Sequence, residues 1–408
     1  MTDAASPRVG ELLPGPRILM GPGPSMADPR VLRAMSTPLL GQFDPEFGVI
    51  MDEVATLTRR AFVSKNRHAF PVPGTGRAGL EAAIVSLVEP GERVVVGECG
   101  RFGLLLAEIA ERAGAEVTVV RAEWGRILAP DAIEAALRRG PTKLVAIVHG
   151  ETSTGVLQPL ADMARVAHEH GALLMADSVV TLGGTEVAVD DGDLDVCVAG
   201  TQKCLSCPSG LAPVTYNERA AEAIAQRRTK VRSNYLDLGQ LADYWSSARY
   251  NHHTAPTAMV YGLREAFRAF DEEGHAARFA RHRLHGEALR AGIEALGLGT
   301  FGAEPPAHRL PCLTPVLVPD GIDDARVRAE LIHDFGVEIG AAFGPLEGRI
   351  WRIGTMGYSA SRRNVLTCLV ALEQTLRAQG FKCEGGAAFE AATAHYRTAG
   401  VDPASEAA

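Results

Sequence analysis

The strongest constraint on this chain lies between Ala172 and Lys203. An apolar run, Ala172 to Ala176, ends on Asp177 and reads as a buried parallel strand with an acid at its carboxyl tip. A second short strand, Val196 to Ala199, then runs into Gly200, Thr201, Gln202 and Lys203. Strands of this kind need helical crossovers on both faces, so the chain is committed to an α/β architecture. Ligands in such sheets bind outside the carboxyl ends of the strands. A lysine there can form a Schiff base with an aldehyde, and an aspartate can hold a pyridine nitrogen protonated. Singly, each residue is more often a solvated lysine or an ordinary strand-capping acid. Together, at this spacing, they read as a pyridoxal phosphate site.

Four stretches, HGETSTGVLQPL, ADSVVTLGG, GTQKCL and WRIGTMG, occur in an order that resembles one family. It is the class V branch of the fold-type-I pyridoxal-phosphate aminotransferases, in its alanine–glyoxylate and serine–pyruvate group. The resemblance runs from about Gly21 to about Gln379. It implies a large domain with a mostly parallel sheet and a smaller α+β C-terminal domain. The expected divisions are an arm over 1–24, the large cofactor-binding domain over 25–275, the small domain over 276–382 and a tail over 383–408. The small domain is expected to take in the N-terminal arm.

Composition narrows the partners. A net charge of −8 and a pI near 5.9 give no electrostatic reason to expect nucleic acid or an anionic membrane. No apolar run reaches the length of a membrane span, and the N-terminus has no apolar signal core, so a cytoplasmic protein is expected. Seven cysteines without regular spacing fit a reducing compartment, and Cys204 and Cys207 lack a second ligand pair at zinc-site spacing. No metal site is expected.

Gly74 to Arg77 follows an apolar strand and opens a helix. Backbone N–H groups at such a terminus, beside a threonine hydroxyl, can cradle a phosphate, although many α/β proteins carry this turn without a ligand. By resemblance Thr75, Gly76 and Arg77 hold the cofactor phosphate, with histidine frequent in the family where Arg77 stands. The resemblance also places Phe102 against the pyridine ring, Thr152 beside the ring's 3′-oxygen, and Gln202 in the cofactor site. Asp177 is expected at the ring nitrogen, and Lys203 as the Schiff-base lysine and general base of a ping-pong transamination. Thr254, in NHHT, would reach the cofactor of a neighbouring subunit, which makes a homodimer with shared active sites. Arg352, in WRIGTMG, carries a planar fork suited to an amino-acid carboxylate. His149 is read as structural. The loop MGPGPS is expected at the mouth of the site, and a helix after GQFDP should bury Phe47, Ile50, Val54, Leu57 and Phe62.

The amino acceptor that best suits this family is glyoxylate. For the donor, Gln42 stands where the alanine– and serine–glyoxylate enzymes commonly have histidine, and Asn251 where they have tyrosine. This pair resembles the ureidoglycine–glyoxylate aminotransferases of purine catabolism. Each carboxamide offers a donor and an acceptor, and a ureido group presents the same mixed edge. The other reading of the two amides is that they tie loops together across an interface. The expected reaction is (S)-ureidoglycine plus glyoxylate giving oxalurate and glycine. The alternatives are an alanine– or serine–glyoxylate enzyme and, further off, a class V lyase or desulfurase. Cys312, Cys368 and Cys383 lack the mobile C-terminal loop a desulfurase needs, and no segment is free to house a regulator's DNA-binding domain.

Overall fold

The computed structural model describes residues 9–302 and 304–400. Its centre is a sheet of seven strands: β1 (His68–Pro73), β2 (Arg93–Glu98), β3 (Glu116–Arg121), β4 (Leu144–Val148), β5 (Leu173–Asp177), β6 (Val196–Val198) and β7 (Leu211–Tyr216). The spatial order is β1-β7-β6-β5-β4-β2-β3, and β7 runs antiparallel to both its neighbours while the remaining pairs are parallel. Val, Leu, Ile and Ala fill both faces of β4, β5 and β6, which is what a sheet covered on two sides requires. One core packs under the helix Pro45–Ala61 and a second under the helices Gly76–Leu87 and Arg101–Ala113. The register sets Asp177 beside Val148 on one side and Val198 on the other. The segments that leave β1, β2, β4, β5 and β6 therefore emerge at one edge of the sheet.

The helix Pro45–Ala61 is capped by Asp44, whose side chain accepts from the Glu46 N–H, and Pro45 sits at the first turn. Its buried stripe is Phe47, Met51, Val54, Thr58 and Ala61, whereas Ile50 and Leu57 are only partly covered. The expected face was right at Phe47, Val54 and Phe62 and about a third of a turn off at the other two.

A third core lies among the C-terminal elements. The strands Leu313–Leu317 and Ile350–Gly354 pair antiparallel, and helices 275–295, 324–335 and 362–378 pack against them. The N-terminal arm joins this lobe: Ile18–Leu19 pairs parallel with Val337–Glu338, and Met20 is fully buried there. The segment from residue 383, expected as a tail that frays after a short helix, forms the helix Ala387–Thr398 and buries Ala388, Ala392 and Tyr396 in the same core. Small residues make this possible. Gly292, on the facing helix, has no room for a Cβ between Leu369 and the Ala388 carbonyl.

Glycines also close the seam between the arm and this lobe. A Cβ on Gly354 would run into the Gly21 carbonyl, and one on Gly340 would run into the Pro22 ring. Met20 accepts from the Gly354 N–H at 2.7 Å, so the arm and strand are fastened by backbone at the point of closest approach. Gly354→Ala must push backbone from backbone, and overpacking of this kind costs about 1–3 kcal/mol. Denaturant unfolding should show that loss, while Gly10→Ala, with open space around it, should leave stability unchanged. Equal stability of the two variants would refute the tight seam.

Candidate active site

Beyond β6, the chain makes the turn Gly200–Pro208 that carries Lys203. Ser206, at the unusual φ of 56°, lets the chain double back, and Cys207 N–H donates to the Thr201 carbonyl while Thr201 Oγ1 donates to the Pro208 carbonyl. A second segment braces the turn from outside. Ser25 N–H donates to the Gln202 carbonyl, Ser25 Oγ to the Lys203 carbonyl, and Asp28 N–H to the Ser206 carbonyl. The loop MGPGPS thus lies directly along the lysine turn, as its expected place at the mouth requires. Gly23, at φ 107°, lies against the lysine stem, where any Cβ would collide with it. Lys203 Nζ donates to the Pro22 carbonyl at 2.5 Å.

A cavity of about 270 Å³ opens in front of this lysine. Among its lining residues are Thr75, Gly76, Arg77, Phe102, Thr152, Asp177, Gln202 and Lys203, contributed from beyond β1, β2, β4, β5 and β6. These are eight of the twelve residues singled out from the sequence. Arg352 stands next to them: its Nη1 donates to the Thr152 carbonyl at 3.3 Å. Gln42, Asn251 and Thr254 do not line the cavity of their own chain. Asn251 and Thr254 are exposed, and Gln42 Nε2 donates to Asn251 Oδ1 at 3.1 Å while its Oε1 accepts from the Ala255 N–H. His149 is buried with Nδ1 3.0 Å from Thr181 Oγ1, a structural position.

Burial governs the charges. Desolvation brings the Lys203 amine down to about 8, and the Arg352 guanidinium adds to the effect. The Asp177 carboxyl is pushed up to about 7 by burial, against the Val179 N–H that it accepts and the charge of Lys203. A cationic partner in the cavity would return that carboxyl to its ionised form. Arg352 is drawn down to about 10 by burial, with Glu151 opposing. No carboxylate forms an ion pair with it among the described residues, so its fork is a cation without a counterion.

Glu151 is a site residue the sequence reading passed over. Its fully buried carboxylate accepts from Ser153 N–H and Oγ and from Phe102 N–H. It thereby caps the helix Arg101–Ala113 and fixes Phe102 at the cavity wall. The acid one residue before Thr152 in HGETSTG was the available clue.

A search among known proteins places this arrangement. The pattern of the family described as Aminotransferase class-V matches residues 19–345. The chain belongs to the class-V aminotransferases. It is 48% identical over 402 residues to (S)-ureidoglycine–glyoxylate transaminase of Bacillus subtilis, covering 94% of this chain and 96% of that one. It is 36% identical over 364 residues to alanine–glyoxylate aminotransferase of Callithrix jacchus, covering 88% of each. Among solved structures, the ureidoglycine–glyoxylate aminotransferase of Bacillus subtilis superposes with a TM-score of 0.93 at 50% identity, covering 95% of this chain and all of that one. An alanine–glyoxylate aminotransferase from Nostoc gives 0.89 at 39%, covering 92% and 100%.

The cofactor of these enzymes is pyridoxal 5′-phosphate, and the cavity fits it. Thr75 caps the helix Gly76–Leu87 without spending its side chain on a capping bond, which leaves hydroxyl and helix terminus available to a phosphate. Gly76 has no space for a Cβ against Val179. Gln202 Oε1 is buried without a partner, an orphan that a ligand donor would satisfy. Asp177 meets the need for an acid at a ring nitrogen and Lys203 the need for an amine. When bound, the cofactor supplies an aldehyde to carry the amino group and a ring that draws electrons from Cα. The residues suited to hold it are Thr75, Gly76 and Arg77 for the phosphate and Asp177 for the ring nitrogen, and Lys203 Nζ would be the atom to move a proton. An amine near 8 can do this, because a useful fraction is neutral at physiological pH.

Capture of the cofactor by the apo-protein requires neutral Lys203. Its pKa is lowered, so the neutral fraction, and with it the capture rate, should climb about tenfold per pH unit up to about 8 and then level off. Stopped-flow absorbance would record this. A rate still climbing at pH 10 would mean that the amine is not desolvated.

Proposed function

We propose that this enzyme transfers the amino group of (S)-ureidoglycine to glyoxylate, giving oxalurate and glycine, as a step of purine catabolism. The observation that carries this reading is the bond between Gln42 and Asn251. It joins the two carboxamides into one edge with donors and acceptors still open: Asn251 Nδ2 makes no hydrogen bond among the described residues. A ureido group, N–H beside carbonyl, matches such an edge, and a methyl or hydroxymethyl side chain leaves it unsatisfied. Each buried amide so stranded costs about 1–3 kcal/mol, enough to separate the donors by powers of ten. The strong likeness to the Bacillus subtilis enzyme supports the same choice.

The edge works on a neighbouring subunit. In the single chain it is exposed and stands apart from the Lys203 cavity, among apolar side chains left in solvent: Leu39 is 67%, Phe43 78% and Tyr250 68% exposed. Such a cluster suits an interface core. We read the enzyme as a homodimer in which Gln42, Asn251 and Thr254 of each chain complete the other's site. Arg352 of the cavity's own chain holds the donor carboxylate. The proposed division keeps a large domain over 25–275 and a small one over 276–382, with the arm and the 387–398 helix packed into the latter. Cytoplasmic residence is in keeping with seven free thiols, and no helix among the described residues is long and apolar enough to cross a membrane.

A donor panel against glyoxylate, read as glycine formed, tests the substrate. (S)-Ureidoglycine should outrun alanine and serine at equal concentration, and Gln42→His with Asn251→Tyr should lower ureidoglycine turnover far more than alanine turnover. A wild-type preference for alanine or serine would return the enzyme to the alanine– or serine–glyoxylate reading. The shared site has its own test. Lys203→Ala chains, which should fail to develop the cofactor's yellow protein-bound absorbance, are mixed with inactive Thr254→Ala chains. Partial recovery of activity is expected in the mixed dimers; an active monomer would sink this part.

A further inference from the structure

Three residues of one short loop converge on Arg352. Gly340 and Arg352 exchange backbone hydrogen bonds at 3.0 and 2.9 Å, the Ala341 carbonyl accepts from Arg352 Nε at 2.6 Å, and the Phe343 ring lies under the guanidinium with its centroid 4.4 Å from Cζ. Thr152 takes a bond from Nη1 on the other side. Of the five N–H donors a guanidinium carries, these bonds use two. The others, one on Nη1 and both on Nη2, make no hydrogen bond among the described residues. The residue is 5% exposed and has no ion pair among the described residues.

Phe343 differs from its neighbours in the loop. Ala342 and Leu346 are buried with Ile350 against Trp124 and Phe301, and they fasten the loop to the large sheet's flank. Phe343 is 42% exposed, so it contributes little to that core. Its contact with Arg352 is a cation over an aromatic face, an attraction that strengthens as water is removed.

We propose that Phe343 is the positioning residue that pre-organises Arg352 for carboxylates, holding the guanidinium plane with its free Nη edge ready for two oxygens. This rests on the reading of Arg352 as the carboxylate site. The ring covers one face of a desolvated cation. Without it the fork is restrained only along its Nε–Nη1 side, and one face is open to water. A carboxylate would then have to order the arginine as well as bind it, and the cost of that ordering appears as lost affinity. Because a single arginine serves both half-reactions of a ping-pong scheme, the loss falls equally on the amino donor and on the 2-oxo acid. That separates Phe343 from Gln42 and Asn251, whose changes discriminate between donors.

The test uses the holoenzyme and oxamate, a carboxylate with no amino group to transfer and no aldehyde to receive one. Calorimetric Kd values are compared for wild type, Phe343→Leu, Phe343→Tyr and Arg352→Gln. Phe343→Leu keeps apolar bulk and removes the aromatic face. It should weaken oxamate about tenfold and raise KM for both glyoxylate and the donor by a similar factor, with kcat within about twofold and donor preference unchanged. Phe343→Tyr should bind as wild type does. If Phe343→Leu binds oxamate normally while Arg352→Gln has lost it, the role given to Phe343 is wrong and the carboxylate site stands. If Arg352→Gln also binds normally, the carboxylate site is wrong and Phe343's role falls with it. A loss confined to kcat in Phe343→Leu would mark a merely structural residue and overturn the proposal.

Discussion

A lysine amine kept out of bulk water, yet free to gain and lose a proton, is what the rest of this structure serves. Desolvation alone would make Lys203 a liability; here it is offset by the Pro22 carbonyl, which takes its N–H, and by the Asp177 charge across the cavity. The Pro22 contact requires that the N-terminal arm come within touching distance of the lysine stem. That in turn requires glycine at 23, where the stem passes, and at 340 and 354, where the arm meets the C-terminal lobe. Each glycine marks a place where two backbones, or a backbone and the lysine, approach too closely for a side chain. The arm consequently belongs mechanically to both halves of the enzyme. It pairs with Val337–Glu338 on one side and hydrogen-bonds the lysine turn on the other.

The two sides of the site do different work. The large sheet brings the cavity residues to the ends of strands that are close-packed on both faces, so a slip in register would disrupt that packing and carry Asp177 away from the strand tip. The C-terminal lobe presents Arg352, and the amides of Gln42 and Asn251 stand on loops outside the cavity of their own chain. On the proposed reading, a charge common to all substrates falls to a buried arginine, and the part that varies between substrates to exposed loops. In such a design the donor can be changed by loop substitutions that leave the cofactor machinery untouched.

What could be read from the sequence follows from the range of the interactions. Asp177, Lys203 and the Gly74–Arg77 turn are local features, set by strand ends and a helix start within a few residues, and the cavity brings them together. The helix Thr257–Glu273 is bounded just as locally, with Pro256 before it and Gly274 after it. Contacts between distant segments were not. Nothing in GAAFGPL says that its phenylalanine meets an arginine nine residues on, since only the antiparallel bridge of Gly340 with Arg352 folds the loop back. The C-terminal helix was obscure for a different reason. Its apolar face consists mainly of alanines, and the facing helix answers with Ala288 and Gly292, so close packing replaces the large residues that a periodicity argument looks for.

Glu151 shows how a buried acid can be placed without becoming a reactant. Its surroundings push its carboxyl upward through desolvation, while Ser153 and Phe102 pull in the opposite direction by donating to it. Its bonds run to the backbone and hydroxyl of the two segments flanking the cavity, so its charge is spent on holding the wall. Arg352 is the reverse case: its bonds run to carbonyls, which neutralise nothing, and no carboxylate pairs with it among the described residues. Beside one cavity, the acid whose donors all come from protein is structural. The cation whose acceptors carry no charge is the group that the proposed reading gives to the substrate.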